Sequence, residues 1–245
     1  MQAATKRSAN PSSEFSYSSF GAEEGEAERL IILAHGGGVN NTYMHKMATL
    51  LAEQIPQARI ECPNAPHKAG TILQRATSHL MHQFSRSSGL SGAKYKWIDT
   101  SRDHQKAYND LQSFVPRYNA FIDSRRDALG LQDKDVALMG FSQGAAVSLA
   151  AAWQRANPLA CVVSHSMFVP EQFESASNSV KTKQPILFLY GNRDEVFPQI
   201  LFERSLGIAQ ANATALEVSV IEGLTHKTSR ESRKIAADYM VQRLG

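Results

Sequence analysis

Short continuous apolar runs punctuate the chain: Leu30 to Ala34, Val136 to Met139, Cys161 to Val163 and Ile186 to Tyr190, followed by a mixed run from Leu216 to Ile221. Runs this short without a polar break suit strands buried on both faces. Between them, apolar positions recur at three- and four-residue spacing. They do so in Tyr43 to Leu51, in Leu111, Phe114, Val115, Tyr118, Phe121 and Ile122, and in Ala145 to Trp153, each reading as one face of a helix. Strands alternating with helices imply an α/β fold, a mostly parallel sheet with helices on both faces. Pro116 falls inside the second helical pattern and has no N–H to donate, so that segment is expected to kink or to split into two helices.

A last helix is expected to start with a capping box, Thr228 with Glu231 three residues on, and carries Ile235, Ala236, Tyr239, Met240 and Leu244 along one stripe. At the other end, Phe15, Tyr17 and Phe20 alternate with small polar residues as an edge strand would. Residues 1–13, with Pro11 and several serines, read as a disordered leader, and residues 14–245 as a single domain without internal repeat or linker.

Composition narrows the function classes more than it selects one. The chain has 245 residues, 42% of them hydrophobic, which is ordinary for a globular protein with one large core. Lys+Arg 26 against Asp+Glu 23 leaves +3, too small an excess to neutralise many phosphates, so neither nucleic acid nor stable membrane association is expected. Cys62 and Cys161 lie far apart in apolar stretches and read as reduced, buried thiols. The first 28 residues contain no Leu, Ile or Val, so they lack the apolar core of a secretory signal, and no stretch approaches a spanning helix. A cytoplasmic protein is expected.

In open parallel sheets, ligands bind at the loops leaving the carboxyl ends of strands, so chemistry is sought there. Gly140-Phe141-Ser142-Gln143-Gly144 joins the run ending at Met139 to the helix starting at Ala145 and matches G-x-S-x-G, a sharp turn that presents a nucleophilic serine. A serine hydroxyl needs a base to take its proton. Of eight histidines, His226 follows the last strand and precedes the last helix, where it can reach back over the sheet edge; His35 and His165 also stand near strand ends as structural or binding groups. The base needs a carboxylate, and Asp194 supplies one in the loop after Tyr190, with Glu195 beside it as the rival acid. Oxyanion donors are expected from Gly37, in His35-Gly36-Gly37-Gly38, and from Gln143, the residue after the nucleophile. The three glycines lack the Gly-Lys-Ser/Thr that would make them a phosphate loop.

Taken together these blocks resemble the α/β-hydrolase superfamily and, within it, the phospholipase/carboxylesterase family that includes acyl-protein thioesterases and small bacterial carboxylesterases. The resemblance runs from about Leu30 to the C-terminus through Ala34 to Gly38, Pro63-Asn64-Ala65-Pro66, Trp97-Ile98-Asp99, Gly140 to Gly144, Gly191 to Pro198 and Gly223 to His226. It implies an α/β-hydrolase fold and a Ser142, Asp194 and His226 triad with Gly37 and Gln143 as oxyanion donors. Trp97, Phe168 and Phe197 are the expected substrate-binding side chains. Val39 stands where the family often has an aspartate, and Ala145 where it often has a second glycine.

Residues 67–96 look longer than the corresponding family segment. Ile72, Leu73, Ala76, Leu80 and Phe84 fall near helical spacing there, as an amphipathic lid or as a surface helix docked on the core. His79 and His82 are spaced to share a metal, but no carboxylate or cysteine completes a site. The expected activity is therefore serine carboxylic-ester hydrolysis through an acyl-enzyme, with no metal or organic cofactor and a small-molecule ester or thioester as substrate. A thioesterase or lysophospholipase on longer acyl chains is the alternative, and a binding protein that has lost catalysis is the reading from another class. A homodimer is compatible with all three.

Overall fold

The apolar runs become the centre of one sheet in a computed structural model that describes residues 15–69, 93–99, 104–167, 169–175 and 180–245. Its strands are β1 (Tyr17–Gly21), β2 (Arg29–Ala34), β3 (Ala58–Pro63), β6 (Val136–Phe141), β7 (Cys161–His165), β8 (Gln184–Gly191) and β9 (Ala213–Ile221), in the order β1-β3-β2-β6-β7-β8-β9. Strand β1 pairs antiparallel with β3 and the other pairings are parallel. Tyr17 and Phe20, expected in an edge strand, lie in β1 at the edge of the sheet, and Phe15 precedes it. Two-residue strands β4 (His67–Lys68) and β5 (Tyr95–Lys96) pair separately at the two ends of the 67–96 stretch. The leader, the amphipathic segment from Ile72 to Phe84 with His79 and His82, and Phe168 lie outside the described residues.

Alternation along the strands divides the core in two. Leu30, Ile32, Leu138 and Phe188 face α2 (His104–Ala128), α3 (Gln143–Trp153) and α4 (Gln199–Ala211). Ile31, Leu33, Met139 and Leu189 face α1 (His45–Gln54) and α5 (Arg230–Leu244). A fully buried aliphatic side chain contributes about 1.5–3 kcal/mol relative to exposure, so these layers carry most of the driving force. Both cysteines are free and buried, in keeping with their apolar surroundings. No helix among the described residues is long and apolar enough to cross a membrane.

Three details differ from the sequence expectation. Of the two outcomes expected at Pro116, the split into two helices does not occur: α2 is a single helix through the proline, which faces solvent while Leu111, Phe114, Val115, Tyr118 and Ile122 on both sides of it dock on one core. The last helix is capped one residue later than expected. Ser229 Oγ accepts from the Ser232 N–H at 2.9 Å and Ser232 Oγ accepts from the Ser229 N–H at 2.8 Å, whereas the Thr228 N–H is taken by Tyr43 Oη at 3.0 Å. Strand β3 departs from the apolar pattern because it carries Arg59 and Glu61. Both are buried, and Arg125 from α2 lies 2.9 Å from Glu61 through Nε and through Nη2. Burial holds the Glu61 carboxyl above the usual carboxylate range, and Arg125 and Arg59 oppose that rise.

Candidate active site

Strands β2, β6, β8 and β9 end along one edge of the sheet, and their loops converge there. At the end of β6 the chain reverses into α3 in so tight a turn that Ser142 adopts φ 53° and ψ −123°, left-handed backbone that a side chain other than glycine rarely takes. Close packing explains the flanking glycines. A Cβ on Gly140 would stand 2.1 Å from the Gly144 carbonyl oxygen, and one on Gly144 would stand 2.2 Å from that of Ala34. The turn is pinned further by Ser142 N–H, which donates to the His165 carbonyl at 2.9 Å, and by the Ser142 carbonyl, which accepts from Ala145 N–H at 2.8 Å.

The structure brings Ser142, His226 and Asp194 together. His226 Nε2 lies 2.9 Å from Ser142 Oγ, and His226 Nδ1 lies 2.8 Å from Asp194 Oδ2. An ionised carboxylate only accepts, so Nδ1 carries the ring proton and the Nε2 lone pair faces the hydroxyl. The other carboxylate oxygen, Asp194 Oδ1, accepts from the Val196 and Phe197 backbone N–H groups at 2.9 and 2.8 Å, which orients the carboxylate toward the ring. Both side chains of the pair are essentially inaccessible, 0% exposed for His226 and 1% for Asp194. Phe141 and Phe197 flank the imidazole, with centroids at 5.0 and 5.4 Å.

Between the two adjacent acids the geometry makes a division that spacing alone left open. Asp194 meets the ring, and Glu195 turns the other way so that its Oε2 accepts from the His226 backbone N–H at 3.0 Å. The loops after β8 and β9 are also tied directly. Arg193 N–H donates to the Leu224 carbonyl at 3.1 Å, and Gly223 N–H donates to Asn192 Oδ1 at 2.7 Å.

The glycine loop after β2 is held from beneath. Ala65 N–H donates to His35 Nε2 at 3.0 Å, so the proton of this imidazole is on Nδ1 and is donated to the Gly36 carbonyl at 2.7 Å. Burial pushes His35 down to about 4 and His165 down to about 3, which keeps both neutral. Neither is a base at this site: His35 braces the loop, and the His165 carbonyl holds the serine turn. Beside the loop, Gly38 N–H donates to the Tyr95 carbonyl at 2.8 Å and Tyr95 N–H donates to that of Val39 at 2.7 Å.

Trp97 is a correction. Expected as a substrate contact, it is fully buried against Phe15, Phe114 and Tyr118, and its indole N–H donates to the His35 carbonyl at 2.6 Å. A wide aromatic ring needs a large apolar enclosure, and the core beside α2 supplies one. Phe197 does border the site, half-buried and edge-on to the His226 ring. Sequence reasoning missed the Glu195 contact and the side-chain bonds of Gln143. No period or motif encodes either, and the one available signal was the adjacency of Glu195 to Asp194. Among the described residues, no group of three or more His, Cys, Asp or Glu is arranged to hold a metal ion.

A family model described as Phospholipase/Carboxylesterase matches residues 17–242. Acyl-protein thioesterase 1 of Schizosaccharomyces pombe is 31% identical over 144 residues, covering 56% of this chain and 61% of the relative, less than two thirds of that protein. Acyl-protein thioesterase 1 of Saccharomyces cerevisiae is 23% identical over 228 residues, covering 89% of this chain and 94% of the relative. Among solved structures, esterase PE8 superposes with a TM-score of 0.79 at 21% identity over 94% of this chain and 99% of the other, a likeness of fold.

Proposed function

The chain belongs to the phospholipase/carboxylesterase family of serine hydrolases, and on that premise we propose that it hydrolyses carboxylic esters through an acyl-enzyme on Ser142. The observation that carries the reading is the unbroken chain of short contacts from Ser142 Oγ to His226 Nε2, 2.9 Å, and from His226 Nδ1 to Asp194 Oδ2, 2.8 Å. Ser142 Oγ attacks the substrate carbonyl carbon while its proton passes to His226 Nε2. Asp194 keeps the ring in the productive tautomer and stabilises the imidazolium that forms. The carbonyl oxygen, now negative, is received by the backbone N–H groups of Gly37 and Gln143. Gln143 is the first residue of α3, where an N–H has no acceptor within the helix.

Collapse of the tetrahedral species breaks the bond to the leaving group, which takes the proton from His226 Nε2 and departs as an alcohol or thiol. Water then adds to the acyl-enzyme with His226 again as base, and the carboxylic acid is released while Ser142 recovers its proton. Every step uses groups of this chain and water. The test is turnover of p-nitrophenyl acetate and butyrate by wild type and by Ser142→Ala; equal rates in the two proteins would refute the assignment. A second reading, action as a thioesterase or lysophospholipase on longer acyl chains, is favoured by the relatives named acyl-protein thioesterases. An acyl-length series decides it, because an optimum at short acyl groups argues against a long acyl channel.

A further inference from the structure

The segment 93–98 touches both halves of the proposed oxyanion site, and the Gln143 side chain is the link on one side. Gln143 Oε1 accepts from the Trp97 backbone N–H at 2.8 Å, and Gln143 Nε2 donates to the Ile98 carbonyl at 2.9 Å. A side-chain amide that accepts and donates on consecutive residues of one segment behaves like an added strand: it fixes both distance and orientation. The same segment is bonded to the glycine loop on its other side. Trp97 Nε1–H donates to the His35 carbonyl at 2.6 Å, Gly38 N–H donates to the Tyr95 carbonyl at 2.8 Å, and Tyr95 N–H donates to the Val39 carbonyl at 2.7 Å. Asn40 Nδ2 adds a bond to the Ala93 carbonyl at 3.2 Å. Residues 93–98 are therefore the shared brace of two loops that are far apart in sequence.

Resting on the serine-hydrolase reading, we propose that the Gln143 side chain is a positioning residue. By clamping Trp97 and Ile98 it sets the spacing between its own backbone N–H and that of Gly37, and so tunes stabilisation of the tetrahedral intermediate rather than binding of the ester. Oxyanion donors work only when aimed at the place the oxygen will occupy in the transition state, and a misplacement of about 1 Å is enough to lower rate by about a hundredfold. Gln143 is 6% exposed and its bond to the Trp97 N–H is buried, so water has little access to replace that bond. Trp97 joins the two attachments directly, fastening the glycine loop through its indole while its backbone N–H is held by Gln143.

The experiment compares wild type with Gln143→Met, which keeps the length of the side chain but removes both bonds, and with Trp97→Phe, which removes the indole bond together with part of the ring's core packing, a loss that the count of reactive sites registers separately. Active sites are first counted with a fluorophosphonate, so that kcat is expressed per folded, reactive serine. KM for p-nitrophenyl acetate and the inhibition constant of a small alkyl boronic acid, a tetrahedral mimic, are then measured. The inference expects kcat per site to fall by about 10- to 100-fold in Gln143→Met with KM within about 3-fold of wild type, and boronate affinity to fall by a similar factor. It expects Trp97→Phe to lose kcat in the same pattern, and the double variant to lose less than the product of the two, since both act through one brace.

A role confined to fold stability would instead lower the count of reactive sites and leave kcat per site unchanged. That result, or a rise in KM at constant kcat, overturns the proposal. Should Gln143→Met fail to fold, Trp97→Phe decides by the same readouts. Failure of the underlying reading looks different: wild type would neither take up the fluorophosphonate nor turn over ester, and the positioning role would fall with it.

Discussion

Replacing Asp194 by asparagine tests the proposed chemistry with minimal change of shape, and the structure specifies why the variant should fail. Asp194 Oδ1 accepts from two backbone donors, Val196 N–H at 2.9 Å and Phe197 N–H at 2.8 Å. Those donors cannot reverse, so in Asp194→Asn the amide oxygen must take the Oδ1 place. The NH₂ group is then forced toward His226 Nδ1, where a carboxylate oxygen stands at 2.8 Å in the wild type. Two N–H groups face each other, and the ring escapes by moving its proton to Nε2. The lone pair that faced Ser142 Oγ at 2.9 Å is lost. A wrong tautomer in the same constellation of groups costs about 10⁴ in kcat, which corresponds to about 5.5 kcal/mol of barrier. The backbone turn is retained because the amide oxygen still serves both donors, so Tm should move by less than about 5 °C. The assay is kcat for p-nitrophenyl acetate per folded protein, with a melting curve on the same sample. A loss below about tenfold in a folded Asp194→Asn protein would refute the assignment. Glu195→Gln is the matching control. Its amide oxygen can still accept from the His226 N–H now bonded at 3.0 Å, so kcat should stay within about threefold.

Three further outcomes follow from the packing. Gly144→Ala drives a Cβ to within 2.2 Å of the Ala34 carbonyl oxygen and 2.5 Å of that of His35, so a loss of about 3–5 kcal/mol is expected in urea unfolding, and unchanged stability would contradict the described turn. Pro116→Ala gives the Gln112 carbonyl a helical donor at an exposed position of α2, and a gain of about 2 kcal/mol should appear as a higher Tm; a lower Tm would count against the continuous helix. His35 and His165 are held neutral in the fold at about 4 and about 3, against 6.5 when unfolded, so only the unfolded chain takes up their protons as pH falls below about 6.5. The stability that goes with their neutrality is present at pH 7 and about 3–4 kcal/mol of it is lost by about pH 5, which urea titrations at the two pH values measure; equal stability at both would refute it.

How much of this was legible beforehand depends on whether a feature is local. Strands β2, β6, β7 and β8 were readable because burial on both faces leaves continuous apolar runs, and the serine turn because close packing admits only glycine on either side. Strand β3 left a weaker trace, since Arg59 and Glu61 look solvent-facing until Arg125, 64 residues beyond Glu61, is brought against them. Trp97 was misplaced for a related reason: a motif position says that an aromatic ring is present, and only the core around it says which way the ring points.

The amino-acid order by itself determined the alternation of strands and helices and the succession of a serine, an acid and a histidine at strand ends, because periodicity and turn chemistry act over a few residues. Tertiary structure alone decided that Glu195 turns to the His226 backbone N–H, that the Gln143 side chain grips Trp97 and Ile98, and that the His35 imidazole braces the glycine loop. Hydrogen bonds between distant segments depend on distances of a few tenths of an ångström, which are set when the whole sheet packs and leave no periodic trace along the chain.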